Sequence, residues 1–353
     1  MSTVSWRGKL RIEAVSPLHV GTGERLAPWL EYDFRNGQWA RLDMEAFLAD
    51  RSVGLQVKEQ LFSGQLDKQT KARLISKIPA RYTLIAVNGD RTSKEVREAI
   101  KLPGDIPYLP ATSVKGAIRT ALAAVFIKYL LEPTKRQKAL EAAAEKNKKF
   151  KAQKLEDELF RGGVHDAKLD VLKGLIIRDS GPIPRLELRL YNLCTSREGE
   201  LVPDQRRPFA LEAIPIGTAV EIEIQFREDQ LRLEENYRPN QKAVNCLKRV
   251  DQLKNYINVF CDRVIECETK FYQASGKPQI ADFFNQPDLL PIGFGTGWNA
   301  KTIGTLLSPE EIKQANIKFP YGSPPPISRR LAMDKNGQYT LPLGWARVSL
   351  EVL

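Results

Sequence analysis

Apolar and charged residues alternate from the start of the chain. Trp6, Gly8, Leu10, Ile12 and Ala14 are interleaved with Arg7, Lys9, Arg11 and Glu13, which predicts a strand with one dry and one wet face. Pro17 closes it ahead of a flexible loop at Gly21 and Gly23. The same period returns in Val220, Ile222, Ile224 and Phe226 against Glu221, Glu223, Gln225 and Arg227, the clearest strand of the sequence. It recurs in Leu186, Leu188 and Leu190 against Arg185, Glu187 and Arg189, and at the end in Ala346, Val348, Leu350 and Val352. Asn36-Gly37, between apolar runs at 30–34 and 39–42, predicts a two-residue hairpin.

The period becomes helical after Pro110. Val114, Ile118, Leu122, Val125 and Tyr129 predict a long helix starting at Thr112 or Ser113 and interrupted at Pro133. Helices are also expected over much of 241–264 and over 309–315. The second opens with Ser308-Pro309-Glu310-Glu311, which supplies a cap, an N1 proline and a capping-box acid. Residues 51–83 show little periodicity and read as short helices or an insertion. Strands at both ends and in the middle, with helices between, define an α+β class built of two split β-α-β units.

At 353 residues the chain has room for one large domain or two modest ones. Lys and Arg number 54 against 43 Asp and Glu, a net charge of +11 that favours a polyanionic partner, nucleic acid first, over a basic surface kept for solubility. The polar helical run 135–158 follows this bias, with nine cations and three acids between Lys128 and Lys154. It reads as a solvated helix or mobile arm, or as an auxiliary RNA-contacting surface. Four cysteines without a C-x-x-C pair and only two histidines disfavour a disulfide framework, a zinc site or a His-rich metal site. No metal or other cofactor is expected. The N-terminus has no apolar signal region, and no stretch approaches the roughly 20 apolar residues of a membrane span. The expectation is a cytoplasmic protein without membrane contact.

Three segments carry the candidate chemistry. They are Ser16-Pro17-Leu18-His19-Val20-Gly21-Thr22-Gly23-Glu24, Tyr108-Leu109-Pro110-Ala111-Thr112-Ser113-Val114-Lys115-Gly116-Ala117-Ile118-Arg119, and Pro291-Ile292-Gly293-Phe294-Gly295-Thr296-Gly297-Trp298. Each is a strand–loop or loop–helix junction where backbone N–H groups can face an anion. Lys115 and Arg119 share one helix face, where cations oppose the macrodipole at a cost of about 0.3–1 kcal/mol each. A phosphate bound beside the Thr112 and Ser113 hydroxyls would reverse that sign. The alternative is that both cations simply reach solvent. The order of a phosphate-binding P-loop is absent, since Gly116 follows Lys115.

The glycines at 293, 295 and 297 permit positive φ and close approach to a ligand, but lack dinucleotide-fingerprint spacing. Phe294 or Trp298 could stack a base, and Lys301 could take a phosphate. His19, before Gly21-Thr22-Gly23, is a donor to RNA, an acid–base group or a structural hydrogen-bonder. His165 and Asp166 are adjacent and point apart. No nucleophile–base–orienter set and no metal-binding carboxylate cluster emerges, so no catalytic residue is assigned.

These blocks resemble the signatures of the RAMP superfamily of CRISPR-associated proteins. Residues 109–119 are similar to its "IPGSSLKGALR" helix start, and 291–304 to its glycine-rich loop. In the same order, Leu159-Phe160 falls where the family often has Leu-Phe-Gly, although Arg161 precedes the glycines here. Residues 174–180 look like the strand that follows, 212–218 like the linker to a second half, and Leu343-Gly344-Trp345 like the closing strand. Length, loop and ending look most like the fifth Csm subunit of type III-A effector complexes.

The resemblance implies an RRM-like, ferredoxin-type RAMP core in residues 1–205, with a helical insertion at about 128–160. It further implies a second, diverged RRM-like half in 206–353 that carries the glycine-rich loop. It also implies a non-catalytic subunit that caps the 3′ end of the guide RNA (crRNA), packs on the repeated backbone RAMP subunit and other Csm-type subunits, and takes part in guide maturation. Site residues carried over are His19, Gly21, Thr22, Gly23, Thr112, Ser113, Lys115, Gly116, Arg119, Gly293, Phe294, Gly295, Thr296, Gly297 and Lys301. The competing readings are a ribonuclease with His19 as acid–base group or Asp33 as loop acid, and a module that docks a host maturation nuclease through the arm 135–154. Classical RNP aromatics are not evident, so base stacking on the sheet face is not implied.

Overall fold

The computed structural model describes residues 4–88, 95–143, 152–184, 187–197, 200–202, 209–231, 240–314 and 328–353. Its organising unit is β1 (Val4–Ala14), α1 (Ala111–Val125), β2 (Leu175–Ile177), β3 (Ala219–Arg227), α2 (Val250–Ala274) and β4 (Trp345–Val352). The strands pair antiparallel in the order β4-β1-β3-β2, with the short strand Leu289–Pro291 added beyond β4. This β-α-β-β-α-β order is the ferredoxin-like arrangement of an RRM-type core.

Register follows the alternation in the sequence. Leu10 lies opposite Ile222 and Leu350, and Ile12 opposite Val220 and Val348. The dry face of the sheet meets Val114, Ile118 and Leu122 of α1 and Leu253, Phe260 and Val264 of α2 in one cluster. Each such fully buried aliphatic or aromatic side chain contributes about 1.5–3 kcal/mol. The wet face carries Arg7, Lys9, Arg11, Glu221 and Glu223, with an ion pair of 3.6 Å between Lys9 and Glu221.

The long helix starts at Ala111, with Pro110 extended as its N-cap. It continues through a π-helical turn, Phe126–Leu130, before Pro133 opens a separate helix, Pro133–Ala143. The segment 241–264 becomes two helices, Gln241–Lys248 and the longer α2. Ser308 and Glu311 form the expected capping box, the Ser308 N–H donating to Glu311 at 2.7 Å and the Glu311 N–H to Ser308 at 3.2 Å.

A second, ten-stranded mixed sheet packs against this core. Its main path runs through Gly21–Leu26, Glu95–Ala99, Phe209–Ala213, Arg189–Arg197, Ala80–Ala86, Gln38–Leu42 and Tyr32–Arg35. Ser328–Met333 also pairs with Arg189–Arg197. The hairpin at Asn36 and Gly37 has both residues at positive φ, 50° and 80°. Residues 51–83 hold the helices Leu55–Phe62 and Lys68–Lys77, which share a small cluster of Leu42, Phe47, Leu61, Ile75 and Ile78. The strand expected from Arg185 onward begins at Arg189; Arg185 and Leu186 lie outside the described residues.

Both sheets take strands from each side of residue 205, so the expected division into 1–205 and 206–353 coincides with neither sheet. The physical reason is the pairing of the first strand with the last, which closes one core across the whole chain. In the insertion, Leu140, Leu155, Leu159 and Phe160 are buried, with Phe160 against Phe126 at 5.9 Å between ring centroids. Its helices therefore dock on the core. The lysines at 146, 148, 149 and 151 lie outside the described residues. Among the described residues no helix is long and apolar enough to cross a membrane, and the four cysteines are free.

Candidate nucleic-acid interface

Backbone hydrogen bonds knit the first and third segments together. The Phe294 N–H donates to the His19 carbonyl at 2.8 Å, and the Gly344 N–H to the Pro17 carbonyl at 3.0 Å. The Trp345 N–H donates to Ser16 Oγ at 2.8 Å, and the Ile292 N–H to the Gly344 carbonyl at 2.6 Å. Gly293 sits at φ +79°, and a Cβ there would stand 2.4 Å from the His19 carbonyl oxygen. Only glycine permits this approach. α1 lies alongside, so one groove of about 450 Å³ is lined by all three segments. Val20 and Gly21 come from the first, Thr112, Ser113, Gly116 and Thr120 from α1, and Gly293, Phe294, Thr296 and Lys301 from the third. No acidic side chain lines it. Hydroxyls, glycine backbone and a cation suit a polyanion's backbone better than a metal ion.

The other predicted residues sit around this groove with distinct tasks. Thr22 and Gly23 lie exposed on the neighbouring edge strand, where the Glu24 N–H donates to Thr22 Oγ1 at 3.1 Å. Gly295 is closely packed against Leu343, Gly297 lies beside the Arg329 side chain, and Trp298 lies against Gly304.

Lys115 and Arg119 do share a helix stripe, but that stripe turns into the protein. Lys115 Nζ donates to the Leu175 carbonyl at 2.7 Å, and burial lowers its pKa. Arg119 pairs with Asp170 at 2.9 Å and Glu156 at 2.8 Å, and its guanidinium lies 4.5 Å from the Phe160 ring centroid. The first N–H of α1, that of Ala111, already donates to Asp179 at 2.7 Å. The arrangement in which both cations and the helix start converge on one phosphate is therefore replaced by internal partners.

His19 is 2 % exposed. Its Nδ1 donates to the Glu212 carbonyl at 2.6 Å, and Phe294 meets its ring edge-on at 5.7 Å. Burial lowers its pKa, against the opposing hydrogen bond to Glu212. Of the readings open for this residue, the structural one fits. The Glu212 carboxylate beneath it is fully buried and accepts from Tyr32 and Tyr82 hydroxyls, the Ala99 N–H and Lys101 Nζ. Asp33 lies in a hairpin strand, its carboxylate held by Arg35 at 2.8 Å. His165 Nδ1 contacts Asp157 at 2.8 Å. Among the described residues no group of three His, Cys, Asp or Glu side chains is placed to hold a metal ion.

Two cations at the groove were not singled out from the sequence. Arg97 and Arg330 project from separate strands, and their guanidinium carbons lie 4.6 and 4.7 Å from the Phe294 ring centroid. The adjacent Arg329 points inward, as strand alternation requires, and donates to Glu268 at 2.5 Å. Glu268 also accepts from Asn299 at 2.8 Å, while Thr305 Oγ1 donates to the Asn299 carbonyl at 2.6 Å. That buried network fixes the turn Asn299–Lys301 and hence the base of the Lys301 side chain. The only sequence signal was the pair Arg329-Arg330 ahead of an apolar run, of which one member had to face outward.

A groove of hydroxyls, glycine backbone and Lys301, with two arginines against its Phe294, on a ferredoxin-type core defines the class of protein, and comparison with known families gives that class a name. The model of the RAMP superfamily matches residues 11–298, and the chain belongs to that superfamily. Within it, the chain is similar to the CRISPR system Cms protein Csm5 of Methanocaldococcus jannaschii, at 26% identity over 322 residues, 85% of this chain and 73% of the relative. A chain of a Csm–crRNA–target RNA ternary complex from a type III-A CRISPR-Cas system, seen by cryo-EM, superposes with a TM-score of 0.74 at 26% identity, covering 97% of this chain and all of that one. The crystal structure of Csm5 from T. onnurineus gives 0.67 at 26% identity, with 96% and 99% covered. The family resemblance carried by the three sequence blocks is borne out.

Proposed function

We propose that this chain is a non-catalytic, RNA-binding subunit of a type III-A Csm ribonucleoprotein complex, which caps the 3′ end of the guide RNA and packs on the backbone RAMP subunits. The observation that carries the reading is the convergence of three distant segments on one groove whose lining holds Lys301 and no carboxylate, with Arg330 and Arg97 against the ring of its Phe294. Likeness over 97% of the chain to a component of a Csm–crRNA complex supports it. Contacts of this kind hold phosphates without reading bases, which suits guides whose spacers all differ. The ribonuclease reading loses its two candidates, because His19 is an enclosed structural donor and Asp33 is a strand residue paired with Arg35.

The test is protection of the guide. A complex assembled with this chain should shield the guide 3′ end from a 3′-exonuclease, and a complex assembled without it should leave that end open to trimming. Equal trimming in both assemblies would overturn the capping role.

A further inference from the structure

Phe294 stands at the mouth of the groove with its ring already engaged. Arg97 lies on Glu95–Ala99 and Arg330 on Ser328–Met333, and two strands separate theirs in the sheet. At about 4.8 Å per strand spacing the two strands lie about 14 Å apart across the sheet, and the register offsets the two residues by a further four positions along it. Both guanidinium groups nevertheless reach the same ring, at 4.6 and 4.7 Å, and both also approach Phe209, at 4.7 and 5.7 Å. The two aromatic rings thus draw two like charges together, an arrangement that costs free energy unless an anion is shared between them.

Internal neutralisation is slight. Glu95 approaches Arg97 at 3.4 Å, but among the described residues no carboxylate lies within ion-pairing distance of Arg330 or Lys301. Burial lowers the pKa of both, and each has a neighbouring cation as the second cause, Arg97 for Arg330 and Arg330 for Lys301. By contrast, the neighbouring Arg329 has a dedicated buried partner in Glu268. The fold therefore fixes the carriers of Lys301 and Arg330 firmly, and among the described residues no carboxylate pairs with either charge.

We propose that Arg97, Lys301 and Arg330 form a clamp for one backbone phosphate of the bound RNA, with Phe294 as the positioning residue that seats the two guanidinium groups and not as a platform for a base. Planar guanidinium forks match phosphate oxygens in pairs, and a base stacking on Phe294 would have to displace a guanidinium. This clamp rests on the RNA-binding reading above, although the anion it recognises could also be a free phosphate.

The test uses the full chain as wild type and as Arg330→Gln, Arg330→Lys, Lys301→Gln and Phe294→Leu variants. Binding of a single-stranded oligouridylate is followed by anisotropy across a salt series, and melting temperature is followed with and without inorganic pyrophosphate. R330Q and K301Q should each reduce the slope of log K against log salt by about 0.7. R330K should recover the slope but not the full affinity, and F294L should lower affinity and slope together. F294L weakening binding at unchanged slope would assign Phe294 to base stacking and overturn its positioning role. Wild-type binding that R330Q and K301Q leave untouched would overturn the clamp and spare the RNA reading. Pyrophosphate stabilising the wild type but not R330Q, with no RNA bound, would keep the clamp and overturn the RNA reading. No response to either probe would overturn both.

Discussion

Gly293→Ala is the perturbation whose consequence can be worked most fully from the structure. An L-residue at φ +79° carries about 1–2 kcal/mol of left-handed strain. Its Cβ would also stand 2.4 Å from the His19 carbonyl, which forces the loop away and breaks the Phe294 N–H bond to that same oxygen. Losing that bond adds about 1 kcal/mol, for a total of roughly 2–3 kcal/mol. Gly217→Ala is the control, because Gly217 has a similar φ of +89° and nothing within 4 Å of its would-be Cβ. It should lose only the strain component. Urea unfolding of the two variants side by side reads the difference, and RNA affinity should fall for G293A alone because Phe294 and Lys301 move with the loop. Equal unfolding midpoints would refute the close packing of the glycine-rich loop on the first segment.

Other outcomes follow from the same geometry. Arg119→Ala should cost about 1.5–3 kcal/mol of stability, the worth of charge-assisted bonds to Asp170 and Glu156, while leaving the salt slope of RNA binding unchanged; a changed slope would return Arg119 to the phosphate contacts. Glu268→Ala removes the buried carboxylate that pairs with Arg329 and should destabilise by about 3–5 kcal/mol in urea titration. His19 has a folded-state pKa below its unfolded value of about 6.5, so the unfolded chain takes up its proton first. Stability should therefore fall as pH drops below that unfolded value, until the folded pKa is reached. His19→Gln should flatten this part of the curve in urea titrations at pH 7 and pH 5.5, and an unchanged slope would refute the assignment of His19 as a buried neutral donor.

The strands of the core were legible because the ferredoxin-type sheet has one wet face. Arg7, Lys9 and Arg11 had to alternate with Leu10 and Ile12 whatever the partners were. The groove was legible as three segments because glycines and hydroxyls at junctions have few other uses in such density. Pairing was not legible, since nothing local in Val4–Ala14 says that its neighbour is Trp345–Val352. The surroundings of the cations were not legible for a related reason. Lys115 and Arg119 look free beside a helix start, but Leu175, Asp170 and Glu156 return from downstream to engage them. Arg97 and Arg330 look like ordinary strand residues until the sheet and Phe294 bring them together.

The most direct test is to purify the tagged chain from its own cell, cross-link it by ultraviolet light before lysis, and sequence the RNA it carries. The account predicts short guide RNAs of repeat tag plus spacer, with partner subunits, and cross-links from the Gly293–Lys301 loop to the last nucleotides at the 3′ end. Cross-links at the 5′ tag, long precursor repeats alone, or no RNA would contradict it.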